Sequence, residues 1–365
     1  MPPLPRSTRP IRPAGPTSPR SPRALLVGTA IAVSGAVLVG AAAAPSPTAA
    51  AATDVPSTTV SPRSAPTGTA IAEPYLSGRT VHDGDVTAVA PSRALRLLGR
   101  TGDSYLVLVS VDGHERVAEV RPGTAPATYL GGVLDTPRDA VLVSRDGSRL
   151  VIAEPGRRGA DALTTTVSAY ATGGTDGSGT LLGRRLVDGD ARVLDARLDR
   201  VVLTGSDAHG VHTSLWTPSS GALRRIAGAT SYAADLAANR LALYRETSSG
   251  SRVCTRTSTL SRPSRPLWRS CGWQVEAFER DGRMALAPLD FDGPGPRLLR
   301  LTTPAGRPVV EYLASRRTTS IHLQRRLNDG RVLLRVGGPS STSYLACELT
   351  ACARVSPVFG ADARD

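Results

Sequence analysis

The sequence predicts an all-β protein, a β-propeller most simply built from six four-stranded blades, with seven blades as the alternative. Three observations lead there. A corner motif recurs about every 45 residues along the chain, the length of a propeller blade. Each copy places turn-forming residues directly before an apolar run. Glycine (36) and proline (29) fall between short apolar segments, while aromatics make up only 4%, the composition of a turn-rich all-β chain.

The clearest copy of the corner is RDGSRLVI, Arg145 to Ile152. RDGRMALA (Arg280–Ala287) and LNDGRVLL (Leu327–Leu334) match it closely. ARLDRVVL (Ala196–Leu203) and LAANRLAL (Leu236–Leu243) are degenerate copies, and RTGDSYLVLV (Arg100–Val109) carries Ser where the others have Arg. The aligned positions are Ser104, Arg149, Arg200, Arg240, Arg283 and Arg331, separated by 45, 51, 40, 43 and 48 residues. Leucine-rich and ankyrin repeats are shorter, and armadillo-type repeats need a helical apolar period that is missing here.

Each repeat should hold four short strands. The third offers ARVLDARL, RVVLTGSD, HTSLWTP and LRRIAGA; the fifth offers QVEAFER, GRMALAPL, PRLLRLTT and PVVEYLA. The second strand is the most apolar, as in RLVIAE and RVLLRV. A continuous apolar run implies burial on both faces, as between stacked blades. The Asp–Gly turn before it suits the positive φ of a tight hairpin. Residues Tyr75 to Ala90 precede the first aligned position. They either complete the last blade or start a seventh, since an open ring would expose sheet edges.

The stretch S-R-D-G-S-R-L-V-I resembles the Ser-Pro-Asp-Gly-Lys-x-Leu-Ala/Val blade motif of TolB-like propellers, a WD-repeat-like group. The resemblance covers about residues 78–357. It departs from the pattern at Arg145, which takes the usual Pro position, and in three copies that lack the Gly. It implies the fold and little about activity, because that superfamily includes binding modules, scaffolds and enzymes.

The first 52 residues read differently. A basic, proline-rich leader precedes an uncharged apolar run, Ala24 to Ala44, and an Ala-rich exit with an Ala-x-Ala pattern at Ala50–Ala52. These are the parts of a secretory signal. An uncleaved signal-anchor is the alternative, since 21 apolar residues can span a bilayer. Either reading places the rest of the chain outside the cytoplasm, with membrane contact only through this segment. Residues 53–74, rich in Ser, Thr, Pro and Ala, read as a disordered linker, and residues 75–365 as the propeller.

The net charge is +13, and all 44 basic residues are Arg. Scattered among acids, without a stripe of interleaved aromatics, they do not make a nucleic-acid surface; a GC-rich genome accounts for them. Four cysteines in an exported chain suggest disulfides. The repeat favours local pairs, Cys254 with Cys271 and Cys347 with Cys352, each joining the third and fourth strands of its blade. No Cys-x-x-Cys zinc knuckle or redox motif is present.

No catalytic signature stands out, and no cofactor or metal is expected. The pair His209 and His212 lacks a third ligand nearby. Asp290 and Asp292 in DFDG, and Asp83 and Asp85 in DGDV, lack the acidic residue a calcium loop needs at its twelfth position. There is no P-loop, dinucleotide fingerprint or nucleophile elbow in residues 53–365. Glycosidase carboxylates would come from distant blades and meet only in space. Trp216, Trp268 and Trp273 are the candidate ligand-binding residues, set against core packing. The sequence therefore points to an exported, monomeric propeller that binds an envelope protein, a peptide or a polysaccharide without turning it over. A propeller enzyme acting on glycans and a membrane-anchored sensor or assembly factor are the alternatives.

Overall fold

The computed structural model describes residues 54–71, 73–123, 127–134, 140–158, 162–172, 179–246, 253–279, 281–289 and 295–360. The chain divides into two units, Met1–Ala52 and Thr53–Asp365. The expected signal or anchor belongs to the first and lies outside the described residues.

The second unit is an all-β propeller of seven sheets. A first strand, β1 (Ser57–Val60), precedes the blades. Blade 1 contains β2 (Tyr75–Ser77), β3 (Thr80–Asp83) and β4 (Val86–Val89). Blade 2 contains β5 (Arg93–Thr101), β6 (Ser104–Val111), β7 (His114–Val120) and β8 (Thr128–Leu134). Blade 3 contains β9 (Val141–Val143), β10 (Arg149–Arg158), β11 (Ala162–Ala171) and β12 (Thr180–Asp188). Blade 4 contains β13 (Asp190–Arg197), β14 (Arg200–Asp207), β15 (Gly210–Thr217) and β16 (Ala222–Ala227). Blade 5 contains β17 (Ser231–Asp235), β18 (Arg240–Glu246), β19 (Val253–Thr259) and β20 (Arg262–Ser270). Blade 6 contains β21 (Trp273–Phe278), β22 (Met284–Pro288), β23 (Leu298–Thr302) and β24 (Pro308–Ala314). Blade 7 contains β25 (Ser320–Arg326), β26 (Val332–Gly337), β27 (Thr342–Glu348) and β28 (Ala351–Arg354). The six repeats are blades 2 to 7, and each aligned position starts, or directly precedes, a second strand.

The second strands are buried on both faces because each sits between two neighbours. In β10, Leu150 and Ile152 pack against blade 2, while Val151 and Ala153 pack against blade 4. Alternate residues of a strand point to opposite faces, so one apolar run serves two interfaces. The buried core residues form seven clusters, one at each junction of the ring. The cluster between blades 7 and 1 closes it: Phe359 stacks on Tyr75, ring centroids 4.8 Å apart, beside Tyr344 and Leu333.

The count is seven, so the preferred six gives way to the alternative. Blade 1 escaped the repeat because β2, the strand with the second-strand direction, is only three residues long (Tyr75–Ser77) and shows no apolar run. Blade 1 is also oriented unusually. Asp83, at the end of β3, meets Arg100 at the end of β5 and Tyr105 at the start of β6. Strand β3 therefore points the same way as the inner strand β5, and β2 points the opposite way. By direction, β2, β3 and β4 match the second, third and fourth strands of the other blades. Among the described residues, blade 1 holds three strands.

The expected disordered linker is also corrected. Within it, β1 pairs in parallel with β24 as a fifth strand of blade 6, and Val60 is buried against blades 6 and 7. Residues 66–71 continue along blade 7, with Gly68 N–H donating to the Arg354 carbonyl and Ile71 N–H to the Val355 carbonyl. The Ser-Thr-Thr-Val run has the β-branched residues to satisfy an open sheet edge, a local signal hidden by the Ser/Thr/Pro composition around it.

Candidate functional site: the channel mouth

The corner motif shapes one mouth of the central channel. In RDGSRLVI, Ser144 Oγ donates to Asp146 Oδ1 at 2.6 Å and accepts from Arg149 N–H at 3.0 Å. Asp146 Oδ1 also accepts from Ser148 N–H. These bonds fix the turn and hold the Asp146 carboxyl below its usual pKa, outweighing the opposing effect of partial burial. Gly147 takes φ +68°, and a Cβ there would fall 2.0 Å from the Arg100 carbonyl oxygen of blade 2. The glycine is thus required by conformation and by close packing. The copies without glycine keep the conformation: Leu198 and Asn239 take φ 52° and 54°.

Corner touches corner around the ring. Arg100 Nη1 lies 3.2 Å from Asp83 Oδ2, tying blade 2 to blade 1. Gly147 packs on Arg100 between blades 2 and 3. Arg149 Nε donates to the Leu198 carbonyl at 2.7 Å, joining blades 3 and 4. Leu236 N–H donates to Asp195 Oδ2 at 2.6 Å, joining blades 4 and 5. The Arg240 guanidinium packs over Gly282 between blades 5 and 6. Arg326 Nε donates to Glu279 Oε2 at 2.9 Å between blades 6 and 7. Arg325 Nη2 meets Glu73 Oε2 at 2.7 Å where blade 7 returns to blade 1. Of the recurring arginines, Arg149 and Arg240 each link their own corner to the next one.

One contact crosses this collar. Arg145, which replaces the motif's usual proline, reaches from blade 3 to blades 5 and 6. Its Nη1 lies 2.8 Å from Asp235 Oδ2, and its Nη2 donates to the Phe278 carbonyl. Beside it, burial pushes the Asp195 carboxyl up to about 6, with the nearby Asp235 charge adding to the effect. Burial likewise raises Glu73, although Arg325 opposes it. Next to the collar opens a cavity of about 780 Å³, bounded by Tyr75 and Leu76 of blade 1, residues 96–100 of blade 2, Arg145 and residues 323–328 of blade 7.

Most of the candidate site residues singled out in the sequence lie elsewhere. Cys254 is bonded to Cys271, and Cys347 to Cys352, each across the third and fourth strands of one blade. Trp216 is fully buried in the core between blades 3 and 4, so it cannot stack on a ligand. Trp273 lies under the Arg300 guanidinium, 3.9 Å from the ring centroid, and that arginine is paired with Glu311. Trp268 packs against Gly306, where a Cβ would fall 2.0 Å from the indole. One face of the Trp273 ring is therefore covered by Arg300. His209 and His212 belong to the β14–β15 hairpin, with His212 Nδ1 3.8 Å from Asp207 Oδ2. Asp83 serves the collar instead of a calcium loop, and Asp290 and Asp292 lie outside the described residues. Among the described residues, no cluster of three or more His, Cys, Asp or Glu could hold a metal ion.

Sequence reasoning missed Arg145, Asp195, Asp235, Glu279 and Arg326. All stand four or five residues before an aligned position. The signal was therefore present as a column of polar residues at the ends of inner strands.

No family model and no curated protein matches the chain. Solved structures do match. An acylaminoacyl peptidase in complex with Z-Gly-Gly-Phe-chloromethyl ketone aligns at TM-score 0.52 and 11% identity, covering 79% of this chain and 52% of that one. The chain thus spans about half the length of that peptidase. The β-propeller domain of the Trilobed protease from Pyrococcus furiosus aligns at TM-score 0.50 and 11% identity, over 79% of this chain and 98% of that domain. An uncharacterized protein from Listeria monocytogenes aligns at TM-score 0.50 and 10% identity, over 74% and 85%. At these identities the likeness shows the fold alone.

Proposed function

We propose that this protein is an extracytoplasmic, non-catalytic binding module that captures a peptide, polysaccharide or envelope protein at the channel mouth. The observation that carries this reading is the state of the carboxylates there. Glu73, Asp235 and Glu279 come from different parts of the ring, and each is engaged by an arginine from another blade. An acid–base pair for glycoside hydrolysis needs two carboxylates that face a substrate; these face guanidinium groups. The rigid collar and the adjoining cavity instead suit recognition by a preformed concave site. Two disulfides support an oxidising compartment, in line with the signal-like N-terminus.

The test uses the full chain carrying a photo-crosslinker at Asn328, on the mouth, or at Val211, on a hairpin far along the sequence from it. Exposed to an envelope fraction, the Asn328 protein is expected to give a discrete adduct that excess unlabelled protein competes away. The Val211 protein should give none. Release of reducing ends or new amines from a glycan and peptide panel, lost in Glu279→Gln, would overturn the reading in favour of an enzyme.

A further inference from the structure

We propose that the outer corner shared by blades 5 and 6 is a membrane-docking surface, seated on the anionic phospholipid headgroups of the bilayer that holds the apolar run Ala24 to Ala44. The inference goes beyond the channel mouth and does not depend on what binds there.

Charge is the first observation. Most arginines of the propeller mix with acids, but residues 247–275 hold five arginines and no acid. Three of the five, Arg262, Arg265 and Arg269, are exposed along β20, the outermost strand of blade 5. Trp268 of the same strand packs against Gly306, in the turn between β23 and β24. It thereby brings the exposed Arg307 of blade 6 to this corner. Among the described residues, none of these four guanidinium groups has a hydrogen-bonded or ionic partner. The strand edge is a poor template for another strand. Pro263 and Pro266 lack an N–H, and the pairing of β20 with β19 shifts register twice. Recognition here falls to side chains.

Two further observations select a bilayer. Leu267, between Arg265 and Arg269, is 46% exposed. Arginine forks match phosphate oxygens, and an apolar side chain beside basic ones suits the boundary between headgroups and acyl chains. The strap also enters at this corner. Strand β1 runs parallel to β24 with Ser57 opposite Glu311, so residues 54–56 lie toward Pro308 and Arg307. Asp54 is the one acid of that stretch. Nine residues separate Ala44 from Asp54, and such a tether reaches at most about 30 Å. An apolar run held in a bilayer therefore keeps this corner, before any other part of the ring, close to the headgroups.

The test uses the full chain, reconstituted into vesicles of phosphatidylcholine alone or with about 30% phosphatidylglycerol. A photo-crosslinker replaces Leu267 or, as a reference, the exposed Leu181 of blade 3. The apolar run can enter either vesicle, so anchorage alone is not the readout. Lipid adducts at position 267 are expected to be about tenfold more abundant on the anionic vesicles. They should fall to the neutral level in about 0.5 M salt, and when Arg262→Gln, Arg265→Gln and Arg307→Gln are combined. Position 181 should give few adducts on either vesicle. Equal adducts on the two vesicles would overturn the proposal, as would equal adducts at the two positions. Capture of inorganic polyphosphate with no lipid adduct at position 267 would overturn the bilayer as partner in favour of a soluble polyanion.

Discussion

Leu198 sits in the left-handed backbone region at φ 52° with its side chain 64% exposed. An L-residue with a Cβ is disfavoured there by about 1–2 kcal/mol, and little burial compensates. Leu198→Gly should therefore raise stability by about 0.5–1 kcal/mol, after the greater chain entropy of glycine is subtracted; a lower urea midpoint would contradict this. Asp195 offers a test of the mouth's electrostatics. Burial pushes its folded pKa up to about 6, above the ordinary aspartate value, so the folded state binds the proton more tightly. The stabilisation from this group is complete below about pH 4 and lost as pH rises through about 6. A shift of this size amounts to roughly 2–3 kcal/mol. Asp195→Asn keeps an acceptor for Leu236 N–H and removes the charge. The variant's melting temperature should fall less than the wild type's between pH 4.5 and 7. Parallel pH profiles would show that Asp195 is not the group responsible.

At the scale of single elements, the strap formed by residues 54–71 is the least expected feature. Its deepest apolar anchor is Val60, 2% exposed, with Pro62 also buried, and its backbone covers the outer edges of blades 6 and 7. Val60→Asp would place a charge in that core and should release the strap while the blades stay folded. Hydrogen exchange checks this. The Glu311 amide, which donates to the Pro56 carbonyl at 2.9 Å, and the Ser315 amide, which donates to the Val60 carbonyl at 3.0 Å, should lose protection, while Leu106 and Leu150 keep theirs. Retained protection at Glu311 would mean that the strap does not depend on Val60. Much of the blade structure was legible before this. Runs such as RLVIAE and RVVLTG announced second strands because burial on both faces leaves no room for polar residues. The disulfide pairs followed from strand order. The strap was not legible, because an edge strand needs only a few β-branched residues and a free partner, and sequence shows only the first.

For the whole molecule, legibility ended where the repeat stopped being regular. Six corners were countable because each carried a turn and an apolar run; in blade 1 the corresponding strand, β2, has only Tyr75, Leu76 and Ser77. The channel mouth was invisible for a different reason. Arg145, Asp235 and Phe278 are separated by 90 and 133 residues along the chain, and only ring closure brings them together. Local patterns therefore revealed the scaffold, while the contacts that distinguish this propeller are non-local. The strap adds a mechanical property to that ring. Because β1 runs parallel to β24 with its hydrogen bonds lying across both strands, a pull applied at Asp54 along β1 loads these bonds together in shear. Tension entering there would be spread into blade 6 first, and the aromatic seam at Tyr75 and Phe359 would be shielded until the strap gave way.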